Sequence, residues 1–307
     1  MIAYLLIQLA TWLTRVLPLG VQLRLADAIA AIGWRVLPAM HRRVRDNVRV
    51  VLGPDASPSD VERVARAQWR NYLRYMRDFA ALPHDAGQEM ERIFSVVEGW
   101  EHVEQALARG RGAALVSVHF GNWDLAAGTL AQRYPVSAIA DTFSSARVDA
   151  AINQRRHALG LRTIPVDKAL KRTISAFRRN EFVAFLVDKP VPGDEGIGVE
   201  FFGRPVRIPA GAAYFAQRMG APLLMGFVWR NEDRTFSAKL LPPLEPDADV
   251  RLTMQRILSL AENQIRAYPE HWYMFRSMFP SDVKLRGTAL PLASSLSLPT
   301  TRKEAVA

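Results

Sequence analysis

Apolar residues fill positions 1–14 almost without interruption until Arg15, well short of the ~20 residues that a membrane-spanning helix needs. From Leu17 to Met40 the apolar character continues, broken by Arg24, Asp27 and Arg35 at intervals that leave an amphipathic pattern. Such a pattern predicts helices that lie in or on a membrane surface rather than cross it, although two core helices of a soluble domain would share the spacing. No basic stretch precedes the first run and no small-residue cleavage site follows it, so a secretory signal is not predicted. Next comes the cluster Arg42, Arg43, Arg45 and Arg49, and then a helix with a legible start: Ser57 as cap, Pro58 in the first turn and Asp60 three residues after the cap. Along this helix Arg63, Arg66, Arg70, Arg74 and Arg77 recur every three or four residues and share a face. Val61, Val64, Ala65, Trp69, Tyr72, Met76 and Phe79 supply the apolar side. Five arginines in one stripe repel one another, so the stripe predicts an anionic surface or ligand opposite it.

From about Gly110 the pattern changes. Short β-branched apolar runs at 113–118, 136–140, 182–187, 222–229 and 235–240 alternate with helical stretches at 125–132, 147–159, 168–179, 209–219 and 252–267. That alternation predicts an α/β fold, a mixed sheet flanked by helices, with the N-terminal helical segment as a membrane-docking appendage. The implied organisation is a helical, membrane-associated segment at 1–84, an α/β domain at 85–292 and a Ser/Thr/Pro-rich flexible tail at 293–307.

Composition narrows the partners. With 307 residues, 49% of them hydrophobic, the chain can bury a sizeable core. It has no cysteine, which excludes a disulfide framework, thiolate metal sites and a cysteine nucleophile. A net charge of +10 points to an anionic partner: phospholipid headgroups, nucleic acid or a phosphorylated cofactor. The usual signatures of nucleic-acid modules are absent, so no nucleic acid is expected. Only six of the forty basic residues are lysine. Arginine suits bidentate phosphate contacts, and a GC-rich genome produces the same bias without function.

The chemistry is most legible where the first of these strands ends, in Val118-His119-Phe120-Gly121-Asn122-Trp123-Asp124. A histidine leaving the carboxyl end of a buried strand sits where α/β sheets place their ligands. Asp124 follows five residues later, so a tight turn can bring its carboxylate to the imidazole; it can equally cap the next helix. A carboxylate on one ring nitrogen fixes the tautomer and leaves the other nitrogen to take a proton from an alcohol. The chain has no Gly-x-Ser-x-Gly elbow, so the natural nucleophile is a hydroxyl of the substrate. The other histidines, His41, His84, His102, His157 and His271, show no metal-ligand spacing, and no metal is expected.

These residues resemble the lysophospholipid acyltransferase superfamily, and within it the bacterial branch of late lipid A and phosphatidylinositol mannoside acyltransferases. The resemblance covers nearly the whole chain. It rests on His119 to Asp124, on Asn153-Gln154-Arg155-Arg156 ending at Gly160, on Leu186-Val187-Asp188-Lys189, and on Val199-Glu200-Phe201-Phe202-Gly203-Arg204 followed by Ile208-Pro209-Ala210-Gly211. Arg45-Asp46-Asn47-Val48 carries it into the N-terminal half. The resemblance implies transfer of a fatty acyl chain from an acyl-CoA or acyl-carrier-protein thioester to a hydroxyl of a membrane glycolipid or phospholipid, with His119 as general base and Asp124 orienting it. It implies no resident cofactor, and a peripheral or monotopic location on the cytoplasmic face of the plasma membrane. Arg155, Arg156 and Arg204 resemble positions that meet phosphate or sugar groups, and Asp188 ends a strand where it could organise those arginines or form a plain salt bridge. The mannoside branch has a glutamate in the 199–204 strand that supports the histidine; Glu200 is the candidate here, with Gly198 competing for the slot. Val118 stands where the glycerolipid branch has Asn, and its Pro-Glu-Gly-Thr-Arg block is missing, which disfavours a simple lysophosphatidate acceptor. A catalytically inert lipid-binding or membrane-scaffolding protein on the same fold is the alternative function.

Overall fold

A computed structural model of the chain describes residues 1–82, 93–192 and 195–279. Four helices come first: α1 (Ile2–Val16), α2 (Leu19–Val36), α3 (Pro38–Leu52) and α4 (Pro58–Ala81). Pro18 caps α2 in an extended conformation and Pro38 opens α3, because proline has no N–H to donate and fits only a first turn. Ser57 caps α4, its hydroxyl accepting from the Asp60 N–H at 3.1 Å. Trp34, Val44, Val48, Val61, Val64 and Ala65 form a small core that ties α2, α3 and α4 together. α1 buries none of its residues.

The arginine stripe of α4 is not a free basic face. Arg63 pairs with Asp60 and Arg66 with Glu62 on the same helix. Arg74 makes two bonds to Asp27 of α2, at 2.8 and 2.7 Å, and Arg77 donates to Gln22 of α2 and to Asp78. The physical reason is that α2 packs along α4, so the second half of the stripe meets a neighbouring helix that carries its own counter-charge.

The α/β layer is a seven-stranded mixed sheet. Its strands are β1 (Phe94–Glu98), β2 (Ala113–Ser117), β3 (Val136–Ala140), β4 (Arg162–Pro165), β5 (Phe182–Leu186), β8 (Leu223–Arg230) and β9 (Phe236–Leu240), in the order β1-β9-β8-β2-β5-β3-β4. Every neighbouring pair is parallel except β8–β9. The helices are α5 (Glu101–Leu107), α6 (Trp123–Ala131), α7 (Ala146–Ala158), α8 (Ala169–Arg178), α9 (Gly211–Met219) and α10 (Val250–Ala267). Val116, Phe177, Val183, Phe185, Met225 and Ile257 build the core on one side of the sheet, and Leu125, Leu130, Leu159, Phe182, Leu224 and Val228 the core on the other. Burial on both faces explains why the parallel strands read as continuous apolar runs. A separate hairpin, β6 (Ile197–Phe201) and β7 (Arg204–Ile208), packs on α10.

The fold class is as the alternation predicts. Among the described residues no helix is long and apolar enough to cross a membrane. The boundary at 84/85 and the tail at 293–307 lie outside the described residues.

Candidate active site

β2 is the switch point of the sheet: the chain continues to β3 and β4 on one side of it and to β8 and β9 on the other, the place where open α/β sheets bind ligands. The strand leads into Val118-His119-Phe120-Gly121. Gly121 has φ +56°, and a Cβ there would lie 1.7 Å from the Val228 carbonyl oxygen, so only glycine fits. Its N–H donates to the His271 carbonyl at 2.8 Å, and the Asn122 N–H to Val228 at 3.0 Å. The Asn122 side chain then caps α6 by accepting from the Leu125 N–H at 3.1 Å.

His119 Nδ1 lies 2.7 Å from Oδ1 of Asp188. The His119 backbone N–H donates to both carboxylate oxygens at 3.0 Å, and the Trp272 indole N–H donates to Oδ2 at 2.8 Å. β2 and β5 run in parallel with Ser117 opposite Leu186, so two residues further along each chain His119 and Asp188 emerge side by side. Asp188 is fully buried, whereas 29% of the His119 side chain remains exposed. Burial disfavours the imidazolium of His119, but the charge and hydrogen bond of Asp188 outweigh it and hold the pKa above the ordinary histidine value. Burial likewise opposes ionisation of Asp188, and His119, Trp272 and the backbone N–H overcome it, holding the carboxyl below its usual range.

This arrangement corrects the assignment of Asp124 as the partner of His119. As the second residue of α6, Asp124 points to α4 and α7: it accepts from the Tyr75 hydroxyl at 2.6 Å and from Arg156 Nε at 2.9 Å, and is itself buried. Both of its oxygens are thereby occupied. Arg156 reaches the site through this pair, while Arg155 turns the other way, buried against α1 and donating to the Thr11 hydroxyl and the Ala151 carbonyl. Asp188 organises neither arginine. Glu200 is exposed on β6, its backbone N–H and carbonyl bonded to the Gln255 side chain, and its side chain has no bond to His119. Arg204 is exposed at the hairpin turn. The alternation of β6 turns Phe201 inward against Trp272 instead, and the left-handed backbone of Phe202 just past the strand, φ +51°, brings that ring in as well. Phe120 is likewise core, packed on Phe227.

Trp123 stands between two compartments. Its ring meets the edge of His119 at 5.3 Å and Tyr75 at 4.3 Å. Beyond it lies a cavity of about 120 Å³. The cavity runs between the sheet and α6. Its floor is made of small residues from five strands, Ser117, Ala138, Ala184, Gly226 and Ala238, and among the described residues its charged lining groups are Asp124, Arg156 and Lys239. Neither Trp272 nor Tyr75 carries a sequence signal, since they lie 153 and 44 residues from His119 in the chain.

The whole of this architecture, from α1 to the segment after α10, falls within residues 1–281, which match the family model described as bacterial lipid A biosynthesis acyltransferase. The phosphatidylinositol mannoside acyltransferase of Mycobacterium tuberculosis H37Rv is 30% identical over 248 residues, covering 78% of each chain. That of Mycolicibacterium smegmatis is 27% identical over 296 residues, covering 87% of this chain and 95% of its own. With a family match across the chain and relatives named as acyltransferases, this protein belongs to the bacterial lipid A biosynthesis acyltransferase family and is an O-acyltransferase.

Proposed function

We propose that the protein transfers a fatty acyl chain from a thioester, acyl-CoA or an acyl-carrier-protein conjugate, to a hydroxyl of a membrane glycolipid, with His119 as general base. The observation that carries this reading is the His119–Asp188–Trp272 arrangement: Nδ1 is held by a buried carboxylate, and the ring is exposed enough to offer Nε2 to a substrate. Nε2 takes the proton of the acceptor hydroxyl as its oxygen attacks the thioester carbonyl. The tetrahedral adduct collapses, the C–S bond breaks, and the proton on His119 passes to the departing thiolate. Asp188 fixes the tautomer and stabilises the transient imidazolium. The apolar cavity behind Trp123 suits the acyl chain, since its walls are almost wholly carbon.

Attachment to the membrane is peripheral in this reading. Met1 and, in α1, Ile2, Leu5, Leu6, Leu9, Trp12 and Val16 are exposed, as are Ile29, Ile32 and Val36 of α2, an unpaired apolar surface beyond what solvated helices show. The cytoplasmic face follows from where acyl-CoA and acyl carrier protein are found. The acceptor class, a mannosylated phosphatidylinositol or a related glycolipid, follows from the names of the relatives. His119→Ala lowers thioester cleavage that depends on acceptor lipid by ~10²–10⁴-fold while circular dichroism still shows the folded chain. Turnover near that of the parent would remove His119 from the mechanism.

A further inference from the structure

The strands around His119 all end on one edge of the sheet. β2 pairs with β5, β5 with β3 and β3 with β4, each in parallel, so the chain leaves all four on the side where His119 and Asp188 emerge. Side-chain contacts join these exits. Lys189, next after Asp188, pairs with Asp141, the first residue past β3. The Phe143 N–H donates to the Asp149 carboxylate in the first turn of α7 at 3.0 Å, and Arg147 of the same turn donates to the Met1 sulfur at 3.4 Å. The start of α1 is thereby tied to this edge. Ala140 stands opposite Pro165, so Val166 leaves β4 beside Asp141. A short turn, Val166–Lys168, then leads into α8, which runs back to the far edge to enter β5.

Large apolar side chains face outward here: Phe143 is 44% exposed, Val166 52% and Leu170, in the first turn of α8, 56%. Lys168, Lys171 and Arg172 flank them, exposed and, among the described residues, without a carboxylate partner. Asp167 is the one acidic residue of 166–172. Apolar groups set among unpaired cations match an anionic bilayer surface, where the first enter the acyl boundary and the second meet headgroup phosphates. An acidic protein would satisfy the cations alone. The apolar surface, however, continues through the Arg147–Met1 contact into the exposed side of α1. We propose that Phe143 and residues 166–172 form a second contact with anionic lipid, which together with α1 lays the edge carrying His119 against the bilayer. The inference rests on the membrane attachment proposed above. In this orientation the acceptor hydroxyl reaches the base from the headgroup layer, with its lipid tails still in the membrane.

The chain has no cysteine, so one introduced cysteine carries a fluorophore at one chosen place. L5C, F143C, L170C and R178C of the full chain are each labelled with a nitrobenzoxadiazole dye. They are mixed with vesicles of phosphatidylcholine and phosphatidylglycerol, with and without a nitroxide on the acyl chain. Dye at positions 143 and 170 is expected to shift to the blue and to lose fluorescence to the nitroxide. Dye at position 178, exposed at the other end of α8, is expected to do neither. K168Q combined with K171Q is expected to weaken binding to these vesicles by roughly fivefold per cation. The dye at position 5 keeps the two readings apart. Quenching there without quenching at 143 and 170 leaves α1 as the anchor and overturns the second contact, whereas the converse upholds the second contact and removes α1. Equal quenching at 170 and 178, no quenching at any position, unchanged binding of the double glutamine variant, or a blue shift at 170 caused by acyl carrier protein and not by lipid, each overturns the proposal.

Discussion

At His119 the decisive question is which carboxylate supports the ring, and Asp188 and Asp124 lead to different expectations. Asp188→Asn keeps the volume but removes the charge that holds the imidazole pKa above its ordinary value. The base acts when neutral, so activity of the parent rises with pH through that raised value. In the Asn variant the acidic limb of kcat/KM moves to lower pH, while kcat falls by roughly 10²–10⁴-fold because the amide favours the wrong tautomer. Asp124→Asn behaves otherwise. It breaks the buried pair with Arg156 and weakens the Tyr75 bond, lowering stability by about 3 kcal/mol without moving the acidic limb. A pH–rate profile and a melting curve for each variant check both outcomes, and a shifted limb in Asp124→Asn alone would restore it as the partner.

Among the elements, α4 loses the free basic face that its sequence suggests, while α1 keeps the exposed apolar surface that docking needs. Arginine every third or fourth residue marks α4 as the anionic-surface helix, yet Arg63, Arg66, Arg74 and Arg77 are matched by Asp60, Glu62, Asp27, Gln22 and Asp78. Arg74→Gln therefore lowers the melting temperature, since it strips the bidentate link between α4 and α2, and changes vesicle binding little. Leu5→Asp with Leu9→Asp does the reverse: both side chains are at least half exposed, so folding is spared while apolar insertion is lost. Vesicle sedimentation together with thermal melts distinguishes the two. Binding that depends on Arg74 and ignores Leu5 and Leu9 contradicts this assignment.

For the whole molecule, stability at mildly acidic pH is governed by a histidine outside the chemistry. His271 accepts from the Gly121 N–H through its carbonyl, and burial, with Arg230 adding to it, pushes its imidazole down to about 4. Its folded pKa is below the ordinary 6.5, so the unfolded chain binds a proton that the folded one refuses. Stability is then full above pH ~6.5 and declines as pH falls towards about 4, by up to about 3 kcal/mol. His119 has the opposite sign: its raised pKa adds stability below pH ~6.5 that is lost only as pH climbs through the folded value. Between pH 6.5 and 4 the decline therefore belongs to His271, together with His41, which burial and Arg45 also lower. Replacing His271 with Asn flattens the dependence of melting temperature on pH in that window, and an unchanged slope counts against this account.

The sequence by itself determined what depends on near neighbours in the chain. Ser57-Pro58 starts α4, Pro18 and Pro38 separate α1, α2 and α3, and apolar runs of five to eight residues become the central strands. The loop carrying His119 was legible for the same reason, since a glycine after a buried strand constrains only local backbone. The tertiary structure decided everything that depends on register. Asp124 is five residues from His119 and Asp188 sixty-nine, yet the parallel pairing of β2 with β5 brings the distant carboxylate to the ring, and the first turn of α6 carries the near one away. Packing of α2 on α4 turned a basic stripe into a set of ion pairs, because a helical period fixes which residues share a face and leaves open what that face meets. Trp272 enters the site only because the chain returns after α10 to close over β2, a contact with no trace in local pattern.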